Sequence, residues 1–146
     1  MKSEHLGIAG FKAKKENHDK IERCFRAGLD FEEAHPEFFH YKSTRYYNRD
    51  VPESPDYEYW MFIDRCDDYE SYLTSIRSSA QRPETKEVQK WIFQALSYAE
   101  GFLPGMGGPN ATGFPSPNNP EELPNTMNLI QHWIEVPSLR VDDMGH

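Results

Sequence analysis

The alternation of extended and helical segments restricts the fold of this chain more than any other feature of its sequence. Runs rich in apolar, aromatic and β-branched residues predict four strands, at 6–11, 38–47, 57–63 and 129–136. Apolar residues at helical spacing predict one helix between the first two strands and a second helix, in two pieces, between the last two. The order is strand, helix, strand, strand, helix, strand, which predicts the α+β, ferredoxin-like βαββαβ fold with a four-stranded antiparallel sheet.

Local signals mark the ends of the predicted helices. Asn17 offers an N-cap for the first helix, and Pro36 stops that helix. Asp67, with Glu70 three residues later, forms a capping box for the first piece of the second helix, and Pro83 suits the first turn of the second piece. Each helical segment therefore has a defined start, which supports the predicted order of elements.

Length, charge and composition set the class of protein. The chain has 146 residues, which predicts a single domain spanning 1–146. Its formal net charge of -8, without a basic stripe, argues against a nucleic-acid partner. No apolar run approaches the roughly 18 residues of a membrane span, and the N-terminus has no signal-peptide core. Two cysteines do not make a disulfide scaffold, so we expect a cytoplasmic protein. Because no apolar run is long enough to span a bilayer, we expect no membrane partner.

A proline- and glycine-rich insertion precedes the last predicted strand. Residues 103–127 hold six of the eleven prolines and four of the nine glycines. Connections of this length without secondary structure are uncommon in compact domains and are usually lids, binding arms or disordered. We expect this loop to form either a lid over a pocket or an arm across a dimer interface.

Period-two alternation assigns the strand side chains to the two faces of the sheet. The apolar majority predicts that the helix-covered face carries His5, Gly7, Ala9 and Phe11, then Tyr57, Tyr59, Met61 and Ile63, then Ile130, His132, Ile134 and Val136. The opposite face would carry Leu6, Ile8, Trp60, Phe62, Leu129 and Trp133. Since that apolar surface is too large to leave in water, we expect an isologous homodimer that covers it and forms a dimeric α/β barrel. The alternative is a monomer in which the long loop covers this face.

Small residues in the first strand predict a cavity beside two histidines. Gly7 and Ala9 leave space where bulky side chains would normally fill the layer under the helices. His5 and His132 would point into that space from adjacent strands, where an imidazole can exchange a proton near neutral pH. The other predicted site residues are aromatic: Tyr57, Tyr59, Tyr72 and Phe25. The competing interpretation is that His5 is a surface residue and His132 a hydrogen-bonded core residue.

Two stretches resemble the stress-responsive dimeric α/β barrel family. In residues 4–12, Glu-His-Leu-Gly-Ile-Ala-Gly-Phe-Lys, a His begins a strand that ends in Phe-Lys, as in that family. In the second stretch, strand 57–63 is followed by a helix cap and then by Tyr72 and Leu73. The resemblance covers 4–100 and 129–137. The related antibiotic-biosynthesis monooxygenase branch shares the fold.

This resemblance implies a small enzyme that needs neither a metal nor an organic cofactor, as in a plant polyketide cyclase of the family. It also implies a pocket between sheet and helices, with His5 and Tyr72 among its residues. The cyclase pattern has a further His about two turns after that Tyr, in a His-Pro-x-His stretch. Here residues 74–78 are Thr-Ser-Ile-Arg-Ser, without a His, so the cyclase's own acid/base mechanism does not carry over intact.

The sequence therefore predicts a cofactor-independent lyase, cyclase or isomerase acting on a small, apolar, phenolic or polyketide-like carbonyl compound. The expected catalytic residues are His5, His132 and Tyr72, and the expected substrate-binding residues are Tyr59, Tyr57, Gly7, Ala9 and Phe25. We expect no metal site. Two alternatives stay open: a non-catalytic stress-type module that binds a small ligand as a dimer, and a cofactor-free monooxygenase of the related branch.

Overall fold

A computed structural model describes residues 2–79, 81–106 and 130–146 of the chain. Its strands are β1 (His5–Lys14), β2 (Ser43–Asp50), β3 (Tyr57–Cys66) and β4 (Gln131–Ile134). Its α-helices are α1 (His18–Ala34), α2 (Tyr69–Ser79) and α3 (Lys86–Leu96). Short 3-10 turns occupy Lys15–Asn17, Pro36–Phe38 and Pro83–Thr85. No helix within the described ranges is long and apolar enough to cross a membrane.

The four strands form one antiparallel sheet in the order β2-β3-β1-β4. With α1 after β1 and with α2 and α3 between β3 and β4, this is the ferredoxin-like βαββαβ arrangement, and the predicted fold class is confirmed. Helices α1 and α3 pack against each other over one face of the sheet. The core under them is formed by Phe11, Ala13, Ile21, Cys24, Phe25, Trp60 and Ala95.

Helix α2 begins one residue later than its predicted capping box. The carboxylate of Asp68, not Asp67, caps it, accepting hydrogen bonds from the Ser71 backbone N–H (3.3 Å) and from Ser71 Oγ (2.8 Å). Asp67 instead forms an ion pair with Lys42, at 2.9 Å. The predicted start of the second helical piece agrees better with the structure, because Pro83 is the first residue of the 3-10 turn that leads into α3.

Strand β2 begins at Ser43, later than the predicted 38–47. The aromatic residues that precede it pack against one another at the end of α1 instead. The ring of Phe39 lies 6.3 Å from that of Phe31 and 6.0 Å from that of Tyr41, measured between centroids. Aromatic enrichment indicates a half-buried surface rather than strand pairing as such, and the aromatic residues of this run are half-buried at the end of a helix.

The predicted orientation of β3 is wrong by one residue. Trp60 lies opposite Phe11 in the register of β1 and β3 and belongs to the core, so the even-numbered residues of β3 face the helices. Trp60 and Phe62 therefore lie on the helix-covered face, and the open face carries Tyr57, Tyr59, Met61 and Ile63. Two predicted substrate-binding residues, Tyr57 and Tyr59, are thus placed away from the helices.

This error has a physical cause, since two of the buried residues of β3 are acidic. Glu58 and Asp64 are both buried on the helix-covered face. The carboxylate of Glu58 lies 2.9 Å from His18 Nδ1 and accepts a hydrogen bond of 3.0 Å from Trp60 Nε1. Within the predicted strand 57–63, a count of apolar residues places Glu58 away from the helices, whereas its hydrogen-bond partners make its burial under them possible.

The alternation predicted for β1 and β4 is confirmed within the described residues. Gly7 pairs with His132 and His5 with Ile134, so these four share the helix-covered face, while Leu6 and Trp133 pair on the other. Leu129 lies outside the described residues. So do 107–127 of the predicted loop, whose role as lid or arm stays a prediction.

Strand β4 covers only the first half of its edge of β1. Farther along, the 100–102 segment takes the same edge. There Glu100 N–H donates to the Lys12 carbonyl (2.7 Å) and Lys12 N–H donates to the Gly101 carbonyl (2.9 Å). The edge of β1 is therefore paired along most of its length.

Candidate active site

The space predicted above Gly7 is occupied by Tyr72. A Cβ at position 7 would lie 2.6 Å from the Tyr72 hydroxyl oxygen, so the phenol rests directly on the backbone of β1. Tyr72 comes from α2, is fully buried, and donates a hydrogen bond of 2.7 Å to Asp64 Oδ2. Gly7 is opposite Asp64 in the sheet, so the missing side chain lets the phenol reach that carboxylate. The cavity predicted at this point is not there.

A cavity of about 120 Å³ lies farther along the same face, between the sheet and the helices. Its wall is mostly apolar and includes Phe25, Phe39, Trp60, Phe62, Ile76, Ile92 and Leu96. Ala9 also lines it, so two of the predicted substrate-binding residues, Ala9 and Phe25, are brought together. Polar groups enter this wall from Glu32, Tyr41, Thr44, Tyr46 and Asp64. We call this space the inner cavity.

Asp64 is the acidic group that β3 contributes to the inner cavity. Its side chain is held by Tyr72 and by the hydroxyl of Thr44, its neighbour in the register of β2 and β3. Burial raises the pKa of Asp64 to about 6, although both hydrogen bonds act to lower it. The carboxyl therefore changes charge close to neutral pH.

The phenols around Asp64 stay protonated, because the same burial raises their pKa values further away from neutral pH. Burial, and then the charge of Asp64, raises the pKa of Tyr72 well above its ordinary range. Burial raises the pKa of Tyr46 in the same direction. The ring of Tyr46 stacks on Phe25, with centroids 4.2 Å apart, which fixes its hydroxyl relative to the cavity wall. These groups are hydrogen-bond donors at any working pH.

A second and larger space, of about 520 Å³, adjoins the inner cavity. Both are lined by Glu32, Phe39, Tyr41 and Thr44. We call this space the outer chamber; its remaining wall comes from Arg26, Leu29, Glu33, Pro36, Lys42 and Ser43. Burial raises the pKa of Glu32 to about 7, against the effect of its hydrogen bond with Tyr41. A second titratable carboxyl therefore stands at the junction of the two spaces.

His5 and His132 lie side by side at one end of the sheet, as the strand order predicts. Nδ1 of His5 is 2.7 Å from Nε2 of His132, and the Tyr69 ring stacks on that of His132 with centroids 3.5 Å apart. His132 is exposed, and neither imidazole lines the inner cavity. Desolvation, and then the nearby His5, lowers the pKa of His132. The structure brings the two histidines together but does not bring them to the cavity.

Sequence analysis missed Asp64 and Glu32, and each has a signal in the sequence. Asp64 follows directly on the predicted strand 57–63, and the sheet extends that strand to Cys66. Glu32 continues the apolar stripe of α1, four residues after Gly28 and three after Leu29. An acidic residue at a core-facing position costs stability unless it has partners, which makes it a marker for a polar site.

One cluster in the described residues has the composition of a cation site. His18, Asp19 and Glu22, at the start of α1, place ligand atoms within 4.8 Å of one another. Asp19 and Glu22 are exposed, and His18 uses Nδ1 for Glu58. Because none of the three lines the inner cavity, the cluster is separate from the candidate site.

Comparison with known proteins adds little to the geometry. No protein-family model matches the chain, and no curated protein matches it. Among solved structures, the chain is similar to a dimeric ferredoxin-like protein of unknown function from Jannaschia sp. CCS1. The identity is 15%, the match covers 69% of this chain and 93% of that one, and the TM-score is 0.42. The ferredoxin-like fold of this chain is defined by its own strand order and register.

Proposed function

We propose that this chain is a cofactor-independent enzyme that transfers protons on a small, mainly apolar, phenolic or polyketide-like carbonyl compound. One observation carries the proposal: the Asp64 carboxyl opens onto an apolar cavity, is held by Tyr72, and has a pKa raised to about 6. A base with a pKa just below the working pH is ionised and still accepts a proton readily. The reaction class is enolisation, from which isomerisation, cyclisation or C–C cleavage can follow.

Asp64 is the proposed base and Tyr46 the proposed donor to the carbonyl oxygen. The ionised carboxylate takes a proton from a carbon next to the carbonyl, and the electrons of that C–H bond form the enolate. Tyr46 lines the same cavity and keeps its proton, so it can donate to the enolate oxygen. Protonated Asp64 then returns the proton to another carbon or to the oxygen, which closes the cycle.

His5 and His132, the pair predicted from the sequence, are the alternative acid/base within the same function. Their ring nitrogens are already in hydrogen-bond contact, so one proton can be passed between them. A substrate would have to reach them at the end of the sheet. If Asp64 is the base, Asp64→Asn loses activity and His5→Ala keeps it. If the histidine pair is the acid/base, the result is the reverse.

Carbon hydrogen exchange separates the assignments. The probe is 4-hydroxyphenylacetone in D2O, with deuterium uptake beside the carbonyl followed by NMR. Asp64→Asn is expected to lower the catalysed rate by about 100-fold or more, and His5→Ala by less than about 3-fold. Asp50→Asn, the same change at the exposed end of β2, is the matched control.

Each other outcome has a definite meaning. If His5→Ala lowers the catalysed exchange rate by about 100-fold and Asp64→Asn leaves it unchanged, His5 is the base. Binding of the ketone without catalysed exchange would leave the ligand-binding module. Oxygen consumption with this phenol would instead favour the cofactor-free monooxygenase.

The proposed enzyme works as a homodimer that pairs through the open face of the sheet. That face carries Leu6 and Ile8, both half-buried, and the exposed side chains of Trp133 (57%) and Tyr47 (45%). A second copy would cover these side chains symmetrically. Light scattering should give the dimer mass for the wild type and the monomer mass for Trp133→Glu. A monomeric wild type would contradict the dimer.

A further inference from the structure

Two buried side-chain oxygens stand without a hydrogen-bond partner in the ranges 2–79, 81–106 and 130–146. They are Glu32 Oε2 and Ser43 Oγ. Both residues belong to the wall of the outer chamber. Buried polar atoms are nearly always paired, because leaving one unpaired costs about 1–3 kcal/mol. Two unpaired atoms on one chamber point to a polar group that enters it.

The carboxyl of Glu32 is fixed by its other contact. The hydroxyl of Tyr41 forms a hydrogen bond with it, and the Tyr41 ring meets that of Tyr72 edge-on, with centroids 6.0 Å apart. Tyr72 in turn holds Asp64. The protein thus holds the Glu32 carboxyl through Tyr41, while Oε2 is buried without a partner in a residue that lines both the inner cavity and the outer chamber.

The sizes of the two spaces indicate how a ligand would lie. The inner cavity, at about 120 Å³, is smaller than the roughly 300–1,000 Å³ of ordinary ligand sites, whereas the outer chamber, at about 520 Å³, is within that range. They share a wall at the junction. A ligand whose carbonyl end reaches Asp64 would thus pass Glu32 with its other end.

Charge on the outer chamber argues against an anionic ligand. Arg26 is paired with Asp30 at 2.9 Å, and Lys42 is paired with Asp67 at 2.9 Å. These cations are already neutralised, and Glu32 itself repels an anion when it is ionised. The group that suits Oε2 best is a neutral hydroxyl, which can donate to it.

We infer that the outer chamber is a specificity site, in which Glu32 Oε2 accepts a hydrogen bond from a hydroxyl at the end of the ligand opposite its carbonyl. The inference rests on the proposed function for the position of the carbonyl. It narrows the ligand class to elongated compounds with a carbonyl at one end and a phenol or alcohol at the other. Glu32 is here a binding residue, not a second base.

Two matched probes test this inference: 4-hydroxyphenylacetone and its methyl ether, 4-methoxyphenylacetone. The ether keeps the carbonyl and the ring but cannot donate. By calorimetric titration at pH 8, the wild type is expected to bind the phenol at least about 10-fold more tightly than the ether. In Glu32→Gln the ratio of Kd values should fall to less than about 3-fold, because the amide oxygen stays with the Tyr41 hydroxyl and an N–H, which cannot accept, takes the place of Oε2.

The control is Glu22→Gln, the same change at an exposed position of α1, which should keep the wild-type ratio. Equal affinity of the wild type for phenol and ether would overturn the inference. So would an unchanged ratio in Glu32→Gln, or failure of the wild type to bind either probe. The binding test and the deuterium-exchange test can fail independently. A preference for the phenol without catalysed exchange would support the specificity site and contradict the proposed enzyme.

Discussion

Two hydrogen-bonded pairs flank Gly7 on the helix-covered face and differ chiefly in burial. Asp64 is opposite Gly7 on one side and His132 on the other. Tyr72 donates to Asp64 over 2.7 Å, and His5 lies 2.7 Å from His132. Asp64 is 6% exposed, whereas His132 is exposed. One buried pair and one exposed pair of hydrogen-bonded groups thus lie on either side of Gly7.

This difference shows that the surroundings, not the residue type, decide which pair suits chemistry in a pocket. An imidazole exchanges protons near neutral pH without help from the protein. A carboxyl reaches that range only when burial disfavours its charge, as it does for Asp64. Asp64 is buried in this way beside an apolar cavity, whereas the histidine pair lies at the end of the sheet, where His132 is exposed to solvent.

The largest expected effect comes from adding one methyl group between the two pairs. In Gly7→Ala the new Cβ would lie 2.6 to 2.9 Å from three atoms of the Tyr72 side chain. Tyr72 is fully buried and cannot move without losing its bond to Asp64. We expect a loss of about 3 kcal/mol or more in the free energy of unfolding, measured by urea denaturation.

A double-mutant cycle identifies the cause of that loss. Gly7→Ala made in a Tyr72→Ala background should cost less than about 1 kcal/mol, because the colliding phenol is gone. An equal cost of Gly7→Ala in both backgrounds would mean that the phenol is not what excludes a side chain at position 7.

The next effect concerns pH and belongs to the buried pair. The folded-state pKa of Asp64 is about 6, against an ordinary value of 3.8, so the unfolded chain loses this proton first. The stability that protonated Asp64 contributes is therefore complete below about pH 4 and is lost as the pH rises through about 6. This loss is at most about 3 kcal/mol.

Unfolding free energies measured between pH 4 and pH 7 check this sign. In Asp64→Asn the side chain does not titrate, so the fall in stability over that range should be smaller than in the wild type. Glu32, with a pKa raised to about 7, adds a fall of the same sign that the variant keeps. A variant that loses as much stability as the wild type would show that Asp64 is not the titrating group.

The fold was predictable because it follows from the order of elements, which survives local errors. The second strand was displaced and the face of β3 was inverted, yet β1, α1 and the later elements kept their order. The inversion arose at Glu58, which is buried against the apolar pattern because His18 and Trp60 are in hydrogen-bond contact with its carboxylate. The fold brings such partners together, and the periodicity of apolar residues does not register them.

The candidate site was predictable only where it depends on strand order. The contact of His5 with His132 follows from β1 lying beside β4. The position of the cavity does not follow, because it depends on which side chain fills the space at Gly7. Tyr72 was predicted at the site, but its phenol occupies the predicted hollow and moves the open space toward Ala9.

The smallest expected effects compare the two pairs directly, by removing one partner from each. Tyr72→Phe leaves Asp64 with Thr44 as its remaining hydrogen-bond donor and should cost about 1–2 kcal/mol of unfolding free energy. His5→Ala removes a contact at the surface and should cost less than about 0.5 kcal/mol. Tyr72→Phe should also move the pH profile of carbon exchange to higher pH, because the lost hydrogen bond held the pKa of Asp64 down. A shift of that profile in His5→Ala, and none in Tyr72→Phe, would reverse the ranking of the two pairs.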